Sequence, residues 1–205
     1  MVEIKPFILG PLQNNCFVIN DKNKKAAIID PGYPEEELIF YLKDNQLEVK
    51  YILVTHAHFD HVSFVPEIKE TTGAKIAMAA KEIPLIKGSY EWGGSGMGYE
   101  VDNFKPDEYL EDGDIIKVGL MIFKVISTPG HSPGGVSFYL TKEKILFSGD
   151  TLFAGTVGRT DLPGSSEKVL WQGIKKKIFT LPKETRILPG HGPETSVGQE
   201  KELQG

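Results

Sequence analysis

Every histidine in the chain stands just after an apolar run. His56, His58 and His61 come directly after YILVT (51–55), His131 after IFKVIST and a Pro-Gly pair, and His191 after RIL and a second Pro-Gly pair. Asp150 follows KILFS (144–148) and Gly149 in the same manner. Short apolar runs bounded by Gly and Pro read as buried strands. Four strands therefore end in small or turn residues and then in a side chain able to hold a metal. Glycine lets backbone approach closely there and proline sets the turn. Such a chain has to bring its four strand ends to one edge, where α/β folds place their sites. No histidine is left over for an ordinary surface or core role.

The rest of the chain supplies the scaffold. Strands are expected at 2–9, 16–19 and 26–30, with Pro11, Asn14, Asn15, Asp21 and Asn23 in the turns between them. A helix is expected over 34–46, with Pro34 at its first position, acids in its first turn and an apolar stripe of Leu38, Ile39 and Leu42. A second is expected over 62–71, ending near Gly73, followed by a strand at 74–79. Two hairpins are expected, 114–118 with 120–127 around Gly119, and 136–140 with 144–148 around TKE. A helix over 167–179 and a strand at 186–188 complete the reading. The segment 88–104, with five glycines, reads as a long loop of the kind that carries function. Within it Trp92 and Tyr99 either line a pocket or clamp the loop. Mixed strands and helices in both halves favour helix-covered sheets in an α/β domain spanning 1–205.

Seven donors emerge: His56, His58, Asp60, His61, His131, Asp150 and His191. Imidazole and carboxylate suit divalent transition metals. Seven are too many for one tetrahedral ion. Two ions roughly 3.5–4 Å apart with a bridging carboxylate would use them all and form a hydrolytic clamp. The expectation is two divalent metal ions, zinc foremost, with iron or manganese acceptable to the same donors.

Composition narrows the partners. The net charge of −5 is a poor footing for holding nucleic acid phosphates. No apolar run approaches the roughly 18 residues of a membrane helix, and the first residues, MVEIKPFILG, lack a secretory signal. The single cysteine, Cys16, cannot form an intrachain disulfide and suits a reducing cytoplasm. A small-molecule substrate is expected, with neither nucleic acid nor membrane as partner; a homo-oligomer stays open.

The pattern His56-x-His58-x-Asp60-His61, followed by His131, Asp150 and His191, resembles the metallo-β-lactamase superfamily. The resemblance implies a four-layer αβ/βα sandwich, two mixed sheets face to face with helices outside and the site at one edge. It implies His56, His58 and His131 on a first metal, Asp60, His61 and His191 on a second, and Asp150 bridging them. The segments Pro129-Gly130-His131-Ser132-Pro133-Gly134, Phe147-Ser148-Gly149-Asp150-Thr151-Leu152-Phe153 and Val157-Gly158-Arg159-Thr160-Asp161-Leu162-Pro163-Gly164 resemble short glyoxalase II-like hydrolases. That likeness implies cleavage of an S-acylglutathione or similar thioester by a metal-bound hydroxide, with Asp60 and Asp150 as catalytic carboxylates. Full-length glyoxalase II enzymes carry a C-terminal helical glutathione-binding domain, which 1–205 lacks, so weak substrate binding is expected. Many true β-lactamases use a Cys ligand, and flavodiiron proteins a Glu where this chain has His58. The rivals are a persulfide dioxygenase, with one iron on His56, His131 and Asp150, and a lactonase. Arg159 has two readings: a contact to an anionic substrate group, or an ion pair with Asp161 that holds its loop, which is favoured.

Overall fold

Period-two alternation along the strands decides the layering. A computed structural model of the chain describes residues 2–205, the side chain of Trp92 excepted. One six-stranded sheet runs in chain order through β1 (Glu3–Leu9), β2 (Asn14–Asn20), β3 (Lys25–Ile29), β4 (Glu48–Leu53), β5 (Lys75–Met78) and β6 (Glu108–Tyr109). β2 pairs antiparallel with β1 and β3, and from β3 onward to β6 neighbouring strands pair parallel. The helices α1 (Glu36–Asp44), α2 (Phe59–Val62), α3 (Val65–Thr72) and α4 (Ile83–Trp92) fall between these strands in sequence.

The second half supplies β7 (Ile115–Val118), β8 (Met121–Ser127), β9 (Val136–Leu140), β10 (Ile145–Gly149), the short ribbon β11 (Leu152–Phe153) with β12 (Thr156–Val157), α5 (Glu167–Lys176), β13 (Arg186–Pro189), β14 (Thr195–Ser196) and α6 (Val197–Gln204). The second sheet has the order β14-β13-β10-β9-β8-β7. In β2, Cys16 and Val18 pack with Leu38, Leu42 and Ile68 of α1 and α3, while Phe17 and Ile19 face Phe123, Phe138 and Phe147 of the other sheet. On the far side of the second sheet, Leu146 and Ile187 pack against Leu170, Ile174 and Val197 of α5 and α6. Three apolar interfaces thus separate four layers, helix–sheet–sheet–helix, as the resemblance implies.

Direction now places the strand ends. β8 and β10 both lie antiparallel to β9, and β10 is parallel to β13. All three therefore end at the same edge. The start of β2 reaches that edge: Asn15 N–H donates to Gly190 O at 2.7 Å, and its side-chain amide to Pro189 O at 3.0 Å and Gly192 O at 2.9 Å.

Three expectations need correction. The helix expected over 62–71 is two, broken at Phe64, with Pro66 near the start of the second; it does end at Gly73, in the left-handed conformation at φ 69°. The loop expected over 88–104 begins as the last turn of α4 and continues as a 3-10 turn (Gly94–Met97). Tyr99 in it is a clamp: buried, edge-on to Tyr33 and Phe59, its hydroxyl accepting from Leu12 N–H at 3.2 Å. The Trp92 side chain lies outside the described residues. The helix expected over 167–179 stops at Lys176 and gives way to a 3-10 turn (Ile178–Thr180). Among the described residues no helix is long and apolar enough to cross a membrane.

Candidate metal centre

All seven expected donors meet at the shared edge, six of them in two triads and Asp150 between these. His56, His58 and His131 form one, and Asp60, His61 and His191 the other. The strand ends explain the grouping. β4 delivers the segment 55–61, with Asp60 and His61 on the single turn of α2; β8 delivers His131, β10 Asp150 and β13 His191. Asp150 lies between the triads. Its Oδ1 is 3.4 Å from His61 Nε2, and its Oδ2 is 3.6 Å from His131 Nε2 and 3.7 Å from His191 Nε2. Asp60 Oδ2 is 3.2 Å from His191 Nε2.

Four of the five imidazoles are oriented by their outer nitrogen. His56 Nδ1 donates to Thr55 Oγ1 at 3.0 Å, His131 Nδ1 to Arg159 O at 2.8 Å, and His191 Nδ1 to Leu12 O at 3.0 Å. His61 Nδ1 donates to Asp30 Oδ2 at 3.0 Å. These bonds leave Nε2 of the four rings facing inward. His58 instead turns Nδ1 inward, 2.9 Å from His131 Nε2. Outer-nitrogen partners of this kind fix tautomer and ring direction at metal sites.

The residues fit a metal pair. His56 Nε2, His61 Nε2 and Asp150 Oδ1 are buried and lack any hydrogen-bond partner. Buried polar atoms are rarely left so; here they converge. Burial and the neighbouring imidazoles push His58 down to about 3, and His56 also falls well below the ordinary range. Both rings are thus neutral at pH 7, the state that binds metal. Burial acts against ionisation of Asp60 and Asp150, but the nearby imidazoles, His61 foremost, hold both below the usual carboxylate range. Burial opposes protonation of His61 and His191, but Asp150 and Asp60 push His61 well above the ordinary range and raise His191, so an ion at the second triad would displace protons from these two rings. With those protons gone, neutral imidazoles beside ionised carboxylates are the donor set of a divalent ion.

Close approach demands glycine at two positions. A Cβ on Gly190 would lie 2.2 Å from Asp150 Oδ1 and 2.7 Å from His61 Cε1, inside the donor cluster. Gly149 has φ 51°, and a Cβ there would sit 2.4 Å from Thr55 Oγ1.

Two carboxylates outside the seven donors also serve the centre. Asp30, at the end of β3, accepts from Thr55 N–H at 2.7 Å and Thr55 Oγ1 at 2.5 Å as well as from His61. Its φ of 50° is left-handed, unusual for a non-glycine residue and a sign of local constraint. Its sequence signal was present, an acid directly after the strand AAII. Glu82 has no such signal and is reached only through the fold.

The cleft over the centre holds about 490 Å³ and is lined by Leu12, Phe59, Met97 and Leu162 beside the donors and Arg159. The Arg159 guanidinium forms a two-point pair with Asp161, Nε to Oδ1 and Nη2 to Oδ2, both at 2.7 Å. That pair holds the exposed Asp161 carboxyl down to about 2. The backbone of Arg159, through its carbonyl on His131, is what touches the centre. Arg159→Ala, Asp161→Ala and the double variant are therefore expected to lower kcat and thermal stability alike, the double no worse than either single. A tenfold rise in KM confined to Arg159→Ala would assign the guanidinium to a substrate anion instead.

The family model described as the metallo-beta-lactamase superfamily matches residues 9–191. The hydroxyacylglutathione hydrolase GloC of Haemophilus influenzae is 36% identical over 98% of this chain and 94% of its own length. The crystal structure of the BLEG-1 B3 metallo-beta-lactamase is 40% identical with TM-score 0.91, covering 99% of this chain and all of that one (100%). That of TTHA1623 in a di-iron-bound form is 38% identical with TM-score 0.88, covering 97% of this chain and 98% of that one.

Proposed function

The chain belongs to the metallo-β-lactamase superfamily and is a metal-dependent hydrolase; on that premise we propose that it cleaves thioesters with two metal ions, as a glyoxalase II-like enzyme. The observation that carries the two-ion reading is Asp150, one carboxylate within 3.7 Å of donors from both triads. The second triad is also built independently, with Asp30 behind His61 and Leu12 O behind His191. A single iron on His56, His131 and Asp150 would leave that construction without a purpose. The di-iron form of TTHA1623 supports the same reading, and leaves zinc, iron and manganese as candidates.

His56, His58 and His131 would hold one ion, Asp60, His61 and His191 the other, and Asp150 both. When bound, such a pair lowers the pKa of water toward about 7 and polarises the carbonyl under attack. The chain's own contribution is position. Asp60 would orient the attacking water at the edge of the cleft, held there beside His191 Nε2 at 3.2 Å. Leu12, Phe59, Met97 and Leu162 give the acyl group an apolar wall and exclude bulk water. Water adds across the acyl–sulfur bond, so the products are a carboxylate and a free thiol. The name of GloC supports the thioester assignment, with S-acylglutathione as first substrate to try. The lone buried Cys16 suits a cytoplasmic setting.

The test is elemental analysis of the purified protein with two assays. Two metal equivalents per chain and hydrolysis of S-lactoylglutathione or another acyl thioester are expected, with activity lost on chelation and restored by zinc, iron or manganese. One iron per chain, with oxygen-dependent sulfite formation from glutathione persulfide and no thioester turnover, would overturn the proposal. A β-lactam belongs in the same panel because of the BLEG-1 likeness. Turnover of the β-lactam alone would also overturn it.

A further inference from the structure

Glu82 ends a 3-10 turn (Ala80–Glu82) that follows β5, and its side chain is wholly buried. A buried carboxylate is costly unless its oxygens are hydrogen-bonded. Both are. Oε2 accepts from Ala57 N–H at 2.8 Å and Oε1 from Gly134 N–H at 2.6 Å.

The identity of those two donors is what matters. Ala57 lies between His56 and His58, on the segment that leaves β4 of the first sheet. Gly134 lies three residues after His131, on the segment that leaves β8 of the second sheet. One side chain therefore joins the two segments that carry the three-histidine triad. A second link runs directly between them, from Val136 N–H to Thr55 O at 2.9 Å. Ser89 of α4 completes the grip, its hydroxyl donating to Ala57 O at 3.0 Å, so both polar groups of the Ala57 residue are held. Gly134 lets the carboxylate come this near, since a Cβ there would stand 3.0 Å from Oε1 and 2.8 Å from Lys81 Cβ. The three rings are evenly set, with centroids 4.6 to 4.9 Å apart.

We infer that Glu82 is a positioning residue for the first metal: it sets the span between the His56–His58 segment and the His131 segment. It can do this because the two donors lie on segments leaving different sheets and each takes its own carboxylate oxygen. Metal–ligand distances tolerate only about 0.2 Å, so a loop displaced by more than that loses a ligand. The second triad uses other supports, Asp30 for His61 and Leu12 O with Asn15 for the His191 segment. The effect of Glu82 is therefore expected mainly at the first site. The inference rests on the two-ion reading of the centre.

The experiment is titration of the full-length apoprotein with zinc against a chromophoric chelator, in Glu82→Gln and Glu82→Asp. Each is also made in a His191→Ala background, which leaves the first site, and in a His56→Ala background, which leaves the second. Glu82→Gln turns an amide N–H toward one of the two donors. It is expected to weaken the first site about tenfold to a hundredfold, the range for outer partners of metal ligands, and the second by less than threefold. Glu82→Asp keeps the charge but falls one methylene short of spanning both donors. It is expected to give a loss between wild type and Gln, and it carries the test should Glu82→Gln fail to fold. Visible spectra of the cobalt-loaded first site should change in band position or intensity in step with affinity. A lower melting temperature with first-site affinity within threefold of wild type would overturn the inference, and so would equal weakening of both sites. Wild-type protein that takes up one ion only, at a site weakened by Glu82→Gln, would sink the two-ion reading and leave the role of Glu82 standing.

Discussion

Asp150→Ala is expected to strip the protein of both ions and to reduce kcat on the order of 10³-fold or more, since losing one transition-state donor alone costs 10²–10³. Asp150 is the residue shared by the two triads, 3.4 Å from His61 and within 3.7 Å of His131 and His191. On the two-ion reading, removing it would delete a ligand from each site and one negative charge from between the two ions. Outer partners of metal ligands already cost tenfold to a hundredfold in affinity, so a direct ligand should cost at least that at both sites. His191→Ala is the contrast. That ring touches Asp60 and Asp150 but no donor of the three-histidine triad, and its loss should release mainly the second ion. Metal content after dialysis, measured on both variants beside wild type, separates the two patterns. An Asp150→Ala protein that retains one full equivalent, as His191→Ala is expected to, would show that the carboxylate belongs to one site only.

The seven donors were legible because each sits where a strand stops. Strand ends are marked by composition, apolar runs giving way to Gly and Pro, and the chain has too few histidines for coincidence. The layering was legible for a related reason. Alternation within β2, with Cys16 and Val18 to the helices and Phe17 and Ile19 to the other sheet, is a local pattern with a global meaning. What escaped reading depended on contacts distant in sequence. Glu82 looks like an ordinary surface acid until the fold brings Ala57 and Gly134 to its two oxygens, 25 and 52 positions away. The helix α4 was hidden by Gly88 and by the glycines after it, which depress helical propensity although tertiary packing overrides them. The two-residue strands β6, β11, β12 and β14 are too short to leave any periodic trace. Asp30 is the instructive intermediate. It stands after a strand like the donors, yet it faces away from the cleft and acts on them from behind.

That arrangement makes Asp30 the site of the second large effect. Asp30→Ala should leave two buried donors unmatched, Thr55 N–H and Thr55 Oγ1–H, and leave His61 Nδ1 only the Asn14 side-chain amide at 3.2 Å. Each unsatisfied buried donor costs about 1–3 kcal/mol, and breaking a buried charged network about 3–5 kcal/mol in all. Alanine also tolerates the left-handed backbone at this position poorly. For a chain of this size 1 kcal/mol moves the melting temperature by about 2–4 °C. The apoprotein should therefore melt on the order of 10 °C lower, if it folds at all. Asp30→Asn separates stability from function. Asparagine accepts φ near 50° and keeps one oxygen for Thr55, so the loss of stability should be smaller. Its amide group, however, would point N–H at His61 Nδ1, which would then have to act as acceptor. The ring proton would move to Nε2, the nitrogen that faces Asp60 and Asp150, and a protonated nitrogen cannot bind a metal. Asp30→Asn is thus expected to fold, to keep the ion on the three histidines and to lose the other. Zinc titration and thermal melting of the same preparations read both outcomes. Two ions bound with wild-type affinity in Asp30→Asn would show that the tautomer of His61 is set by something other than Asp30.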